Sequence, residues 1–261
     1  MAQTMKNVKA VTIPEGTVKK IEDSNGNIIW GSYAAFPYRR LEYLYFNGID
    51  NYVNLGGKIS YSRIDTAIAE LISVDNEDAV AGGYSYNGTW PRYYLPRFVN
   101  NGSNARFAIS STWTSNNITY PLNTKLRFSI KVGANATSAC TCTIKNEDTN
   151  TVILNEDITP TAASGGSTSN NPTVYLGALS SKLNASDTEH AVNFTECKIY
   201  FWSRTSYDGT TVKYDAYPVQ RKSDGAFGFY FPSNNLFAIL EGTQTSATAG
   251  PVVDEYWDLT A

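Results

Sequence analysis

The segment from Cys197 to Phe237 constrains the fold of this chain more than any other. It reads CKIYFWSRTSYDGTTVKYDAYPVQRKSDGAFGFYFPSNNLF. Apolar and polar residues alternate, the run turns at Asp208-Gly209, and it continues through Pro218 and Asp224-Gly225 to a Gly/Phe-rich close. Alternation with period 2 is the signature of a pleated strand. A two-residue Asp-Gly break between such runs predicts a β-hairpin, because the turn needs positive φ. Consecutive hairpins of this kind leave little room for helical architecture.

The rest of the chain extends the pattern. Val18–Glu22 and Asn27–Trp30 flank Asp23-Ser24-Asn25-Gly26, a second hairpin signal. So small a hairpin is marginal alone. It must pack Ile21, Ile28, Ile29 and Trp30 against its own domain or against another subunit, and the sequence leaves both open. Gly31-Ser32 then reads as a short link, so residues 1–32 form an N-terminal arm and 33–261 one large domain. Short runs follow at Leu41–Phe46, Tyr52–Leu55, Ala67–Val74, Tyr93–Val99 and Arg106–Ser111. In Lys125–Val132, Leu126, Phe128, Ile130 and Val132 face one way while Lys125, Arg127, Ser129 and Lys131 face the other, as in a half-buried antiparallel strand. Ala139–Ile144 and Val152–Ile158 predict a hairpin around Glu147–Asn150, and Val174–Leu179 a further strand. Ile64–Val74 would tolerate a helix, but its flanks favour a strand. Residues 160–171 read as a loop. Many short strands at 8–12-residue spacing predict an all-β antiparallel sandwich.

Charge and cysteine content exclude several function classes. Charged residues are 17% of the chain and the net charge is -3, so nothing tracks a phosphate backbone and nucleic acid is not expected. No run approaches the ~20 apolar residues of a membrane helix, and MAQTMKNVKA has no apolar signal core. Cys140, Cys142 and Cys197 are an odd set, and the first two lie on one face of a strand. All three read as free thiols used as small hydrophobes. A single histidine, His190, argues against a zinc site and reads as a solvated loop residue. Asp75-Asn76-Glu77-Asp78 has oxygen ligands for calcium but no established loop spacing, so it reads as a solvated turn. No cofactor is expected.

Two segments carry a resemblance. Tyr38-Arg39-Arg40-Leu41-Glu42-Tyr43-Leu44, followed by Asn47-Gly48-Ile49-Asp50-Asn51-Tyr52-Val53-Asn54-Leu55, resembles an opening found in phage and prophage structural proteins. There a Tyr-x-x-Leu-Glu-Tyr-Ile start precedes a Gly-x-x-Tyr-Ile-Asp-Thr run. Lys198-Ile199-Tyr200, Val212–Tyr217, Pro218-Val219-Gln220-Arg221, Asp224-Gly225 and Gly228-Phe229-Tyr230 resemble the same family's close, and Pro172–Ala178 fits its middle. The family is the concanavalin A-like (laminin-G-like) jelly roll of phage fibres, and the resemblance spans roughly residues 36–240. Phe231 stands where the family has Asp, and Asn54-Leu55-Gly56 where it has Asp-Thr-Gly, so no site is carried over. Val18–Gly31 resembles a segment at the start of virion proteins.

The resemblance implies a bacteriophage virion structural protein: a head fibre, tail fibre or capsid decoration subunit, made in the bacterial cytoplasm and displayed on the virion surface. Its expected partners are capsid or tail subunits and further copies of itself, as a dimer or trimer. Ile13, Ile21, Ile28, Ile29 and Trp30 would anchor it, and the tail Ala249–Ala261 offers a second docking strand. The alternative is a module that binds host-surface glycans. Tyr86, Trp90, Tyr93, Tyr94 and Trp113 are the rings on which a sugar could stack, although the same rings suit a core or a subunit interface. A polysaccharide hydrolase is the remote reading. Glu147-Asp148, Glu156-Asp157 and Asp254-Glu255 are adjacent, so they point apart and form no acid pair across a cleft, and no enzyme is expected.

Overall fold

Residues 125–132 show how this sequence makes sheet. Leu126, Phe128, Ile130 and Val132 are fully buried, and the intervening Lys, Arg, Ser and Lys are not. The structure, a computed structural model, describes residues 20–22, 28–31, 37–58, 62–75, 78–85, 92–99, 104–110, 112–113, 119–134, 138–159, 173–182, 188 and 190–254. Among these there are 21 strands and no helix. They are β1 (Lys20–Glu22), β2 (Ile28–Gly31), β3 (Tyr38–Leu41), β4 (Leu44–Asn47), β5 (Tyr52–Lys58), β6 (Arg63–Ser73) and β7 (Ala81–Ser85). Next come β8 (Arg92–Val99), β9 (Asn104–Ser110), β10 (Thr112–Trp113), β11 (Lys125–Val132), β12 (Cys140–Asn146), β13 (Val152–Ile158) and β14 (Thr173–Leu176). The last are β15 (Leu179–Lys182), β16 (His190–Val192), β17 (Glu196–Ser206), β18 (Val212–Arg221), β19 (Phe227–Phe231), β20 (Leu236–Glu241) and β21 (Val252–Asp254).

The chain divides into two compact units, Met1–Pro37 and Tyr38–Ala261. In the first, β1 and β2 pair antiparallel with Ile21 opposite Trp30. The residues between Glu22 and Ile28, and those before Lys20, lie outside the described residues.

In the second unit one large mixed sheet follows the order β13-β12-β11-β6-β17-β18-β19-β20-β5-β14-β7-β15-β16. Its pairs are antiparallel except β7 with β15, which run parallel. β4 pairs the first half of β17, β3 pairs the end of β18, and β21 lies beyond β3. A separate ladder runs β10-β9-β8. One contiguous core draws on both stretches of this path. It joins Ala67, Ala69 and Leu71 of β6 and the inward row of β11 with Val53 and Leu55 of β5, Leu95 and Phe98 of β8, and Phe229 and Phe231 of β19. A sheet that buries one face against itself in this way is a β-sandwich arrangement. Cys140, Cys142 and Cys197 are free thiols buried in this core.

Several boundaries differ from the sequence expectation. Leu41–Phe46 is two strands, because Glu42-Tyr43 carries the chain from pairing with β18 to pairing with β17. Val174–Leu179 is also two. It breaks at Gly177, whose φ is +73°, and a Cβ there would sit 2.1 Å from the Phe46 ring. The β17–β18 hairpin spans residues 207–211 rather than a two-residue turn. Asp208 Oδ1 there accepts from Ser206 Oγ and from Thr210 N and Oγ1, and Ser206 N donates to Thr211 O. Side-chain bonds of this kind replace the ladder bonds of a tighter turn. The exposed His190 opens β16 rather than lying in a loop.

Candidate functional site

The most developed surface lies on the outward face of β4, β17, β6 and β11. Tyr45, Lys198, Glu70 and Lys125 take one register row across these four strands. Lys198 Nζ donates to Glu70 Oε1 at 2.8 Å and Tyr200 Oη to Glu70 Oε2 at 2.7 Å. Burial pushes the Glu70 carboxyl up, but these two donors and the charges of Lys198 and Lys125 outweigh it and leave the group lowered. Tyr200 is raised, first by burial and then by its bond to Glu70. Tyr45 Oη donates to Glu196 Oε1 at 2.5 Å, which holds its hydroxyl up at about 12.

A β-bulge organises this surface. The register of β17 against β6 shifts between Ile199 and Phe201, where the other edge of β17 passes from β4 to β18. The extra residue breaks the alternation, so Tyr200 and Phe201 both line the outward cleft while Ile199 and Trp202 are buried. The cleft has a volume of about 490 Å³. Leu41, Ile68 and Phe201 give it apolar surface, and Arg40, Glu42, Lys125, Glu147 and Asp254 ring it with charge. Arg127 binds Glu147 through two bonds of 2.8 Å, and these hold the Glu147 carboxyl below its ordinary value.

The aromatic rings of this face are capped by cations. Lys125 Nζ lies 4.1 Å from the Tyr200 ring centroid, Lys198 Nζ 5.2 Å from Tyr43, and Arg40 4.8 Å from Tyr217. Further along, Arg221 lies 4.6 Å from Phe237, which stacks on Tyr38. Capped rings brace the sheet and offer a ligand less free aromatic face than bare ones.

The residues singled out from sequence lie elsewhere. Ile13, Tyr86 and Trp90 fall outside the described residues. Ile21, Ile28, Ile29 and Trp30 lie in β1 and β2. Tyr93 and Tyr94 are in β8 and Trp113 in β10, where Tyr94 and Trp113 both pair with Ala108 of β9 and so share one row of the ladder. Asp78 is buried rather than solvated. Its Oδ2 accepts from Asp75 N at 2.8 Å, and desolvation pushes its carboxyl up to about 6. No cluster of three or more His, Cys, Asp or Glu able to hold a metal occurs among the described residues. Val252–Asp254 of the tail pair with β3 of the same chain. The outward cleft escaped the sequence reading, although Tyr200-Phe201-Trp202, three aromatics in an alternating run, signals a bulge.

No protein-family model matches this chain, and no curated protein matches it. Among solved structures, it is similar to the crystal structure of Scytalido-glutamic peptidase with a peptide-based transition-state analogue. The two share 12% identity over 78% of this chain and 100% of that one, at a TM-score of 0.31.

Proposed function

We propose that this chain is a bacteriophage virion structural protein. In this reading Tyr38–Ala261 is a concanavalin A-like (laminin-G-like) jelly roll displayed on the particle as a head fibre, tail fibre or capsid decoration subunit. The N-terminal hairpin attaches it. One observation carries the reading. The two segments that resemble the ends of the phage family are direct neighbours: β3 pairs β18 and β4 pairs β17. Pairing of the opening strands with the closing ones ties the two ends of the domain to each other, which suits a domain that must stay folded while exposed. The hairpin of β1 and β2 is too small to be stable alone, which fits a segment completed by a partner strand. Two or three copies would give avidity for a repetitive particle surface.

The same reading is non-enzymatic. Hydrolysis by paired carboxyls needs one acid held protonated beside an ionised one. Glu70, beside the cleft, and Glu147, in its wall, are both drawn toward the ionised form, and Asp78 is not among the cleft's residues. The test is deletion of residues 1–31 in a cell that produces the particle. The full chain co-sediments with particles. The truncated chain stays soluble and keeps its β-type circular dichroism. Particles that carry the truncated chain at an undiminished level would refute the anchoring.

A further inference from the structure

The separate ladder β10-β9-β8 meets the larger sheet at one short segment, residues 78–80. Among the described residues two backbone bonds make the junction. Phe98 N donates to Asp78 O at 2.7 Å, and Val80 N donates to Pro96 O at 3.2 Å. Val80 O in turn accepts from Gly177 N, so the same segment holds the ladder on one side and the β14–β15 break on the other. Asp78 opens this segment with its side chain buried, the residue being 8% exposed. Its Oδ2 accepts from Asp75 N at 2.8 Å and closes the connection between β6 and β7. The ring of Phe98 packs on that of Tyr120, with centroids 5.0 Å apart.

Among the described residues no cation draws the Asp78 carboxyl down, Arg97 of β8 included, whose backbone pairs with Ala79. Desolvation disfavours its ionised form, the bond from Asp75 N favours it, and the Asp75 charge opposes it, leaving the group raised to about 6. Its charge reaches Tyr120, on the segment before β11, and Cys197 of β17, and adds to the desolvation that pushes both of these groups up. A carboxylate formed here has one N–H donor and no counter-charge, so it gains from any opening that lets water in.

We propose that Asp78 is a proton-operated clasp: protonated, it lets residues 78–80 hold the β8–β10 ladder to the larger sheet, and ionised, it opens that junction. Opening hydrates the carboxylate and breaks the Phe98–Asp78 and Val80–Pro96 bonds, while β8 and β9 stay paired. Because the folded-state value is raised from 3.8, the closed junction is favoured fully below about pH 4, and that advantage is lost as pH rises through about 6. The population of the open form rises by up to about 100-fold from acid to neutral pH. The clasp belongs to the domain itself and is independent of attachment to a particle.

Amide hydrogen exchange of the full chain tests this, with each rate divided by the intrinsic rate at that pH. Protection of the Phe98 and Val80 amides falls by more than about tenfold between pH 4.5 and pH 7.5. At pH 7.5 these two amides exchange at least about tenfold faster than the Ile130 amide in the interior strand β11, because the junction opens without global unfolding. In Asp78→Asn the fall disappears, and both amides keep at pH 7.5 the protection they have at pH 4.5. The proposal is overturned if the variant loses protection with pH as the parent does. It is equally overturned if Ile130 is no better protected than Phe98 and Val80 at pH 7.5, which makes the opening global. If the variant fails to fold, the parent's pH series and its comparison with Ile130 decide.

Discussion

Asp65 and Glu70 lie five positions apart on β6, so the pleat sends them to opposite faces. Each is held by two basic or hydroxyl-bearing neighbours. Asp65 is fully buried and accepts from Arg63 Nε at 2.8 Å and from Arg204 Nε at 2.7 Å, with both arginines almost wholly buried as well. Glu70 shares its carboxylate between Lys198 and Tyr200, with about a sixth of its side chain in solvent. The same kind of contact therefore has different consequences. Charges taken out of water depend on one another, because a lone buried charge cannot be rehydrated. Charges at the rim exchange a partner for water at small cost.

Four substitutions put that contrast under strain, from the largest expected effect to the smallest. Asp65→Asn leaves two buried guanidinium groups without their anion and lowers unfolding free energy by about 3–5 kcal/mol in urea titration. A loss under about 1 kcal/mol would erase the distinction between the faces. Asp78→Asn should act in the opposite direction. The folded-state pKa of Asp78 is raised from 3.8 to about 6, so the native state holds more protons across that window. Its contribution is fully present below about pH 4 and is lost as pH rises through about 6, by up to about 3 kcal/mol. Asn still accepts from Asp75 N, so the variant melts higher than the parent at pH 7.5 and gains nothing at pH 4. Equal shifts at both pH values would contradict this assignment.

Asn51 is 1% exposed and its Nδ2 donates to Glu241 O and Thr243 O, joining the β4–β5 turn to the end of β20. Asn51→Ala removes both of these bonds from a buried side chain and costs about 2 kcal/mol, read as a lower melting temperature. Glu70→Gln keeps hydrogen-bond capacity and loses only partly hydrated charge. It costs under about 1 kcal/mol, and that difference shrinks further at high salt.

How much of this was legible in the sequence varied with the range of the interaction. Lys125–Val132 was read to the residue because its alternation is complete and both flanks are polar. The β12–β13 hairpin, the strand at Ile64–Val74 and the pairing of Ile21 with the Trp30 side of its hairpin followed from local pattern and turn chemistry. The break at Gly177 was hidden, since it depends on the Phe46 ring from a strand far away in sequence. The short strand β7, with three small residues, carries almost no periodic signal, so its parallel pairing with β15 went unread. The aromatic residues nominated in β8 and β10 came from composition. The rings that line the cleft, Tyr200 and Phe201, and those packed on them, Tyr43 and Tyr217, came from register.

By itself the sequence determined that this chain is all β, which residues of its cleanest strands face inward, and that its three cysteines are core residues. Those properties arise from the two-residue period of the pleat and from turns a few residues long. Only the tertiary structure decided that β6 lies between β11 and β17, that β17 changes partner at a bulge, and that Asp65 enters the core while Glu70 meets water. It also decided that the outward cleft is ringed with charge. Strand pairing joins residues far apart in the chain, and nothing in a local period specifies which partner a strand will meet.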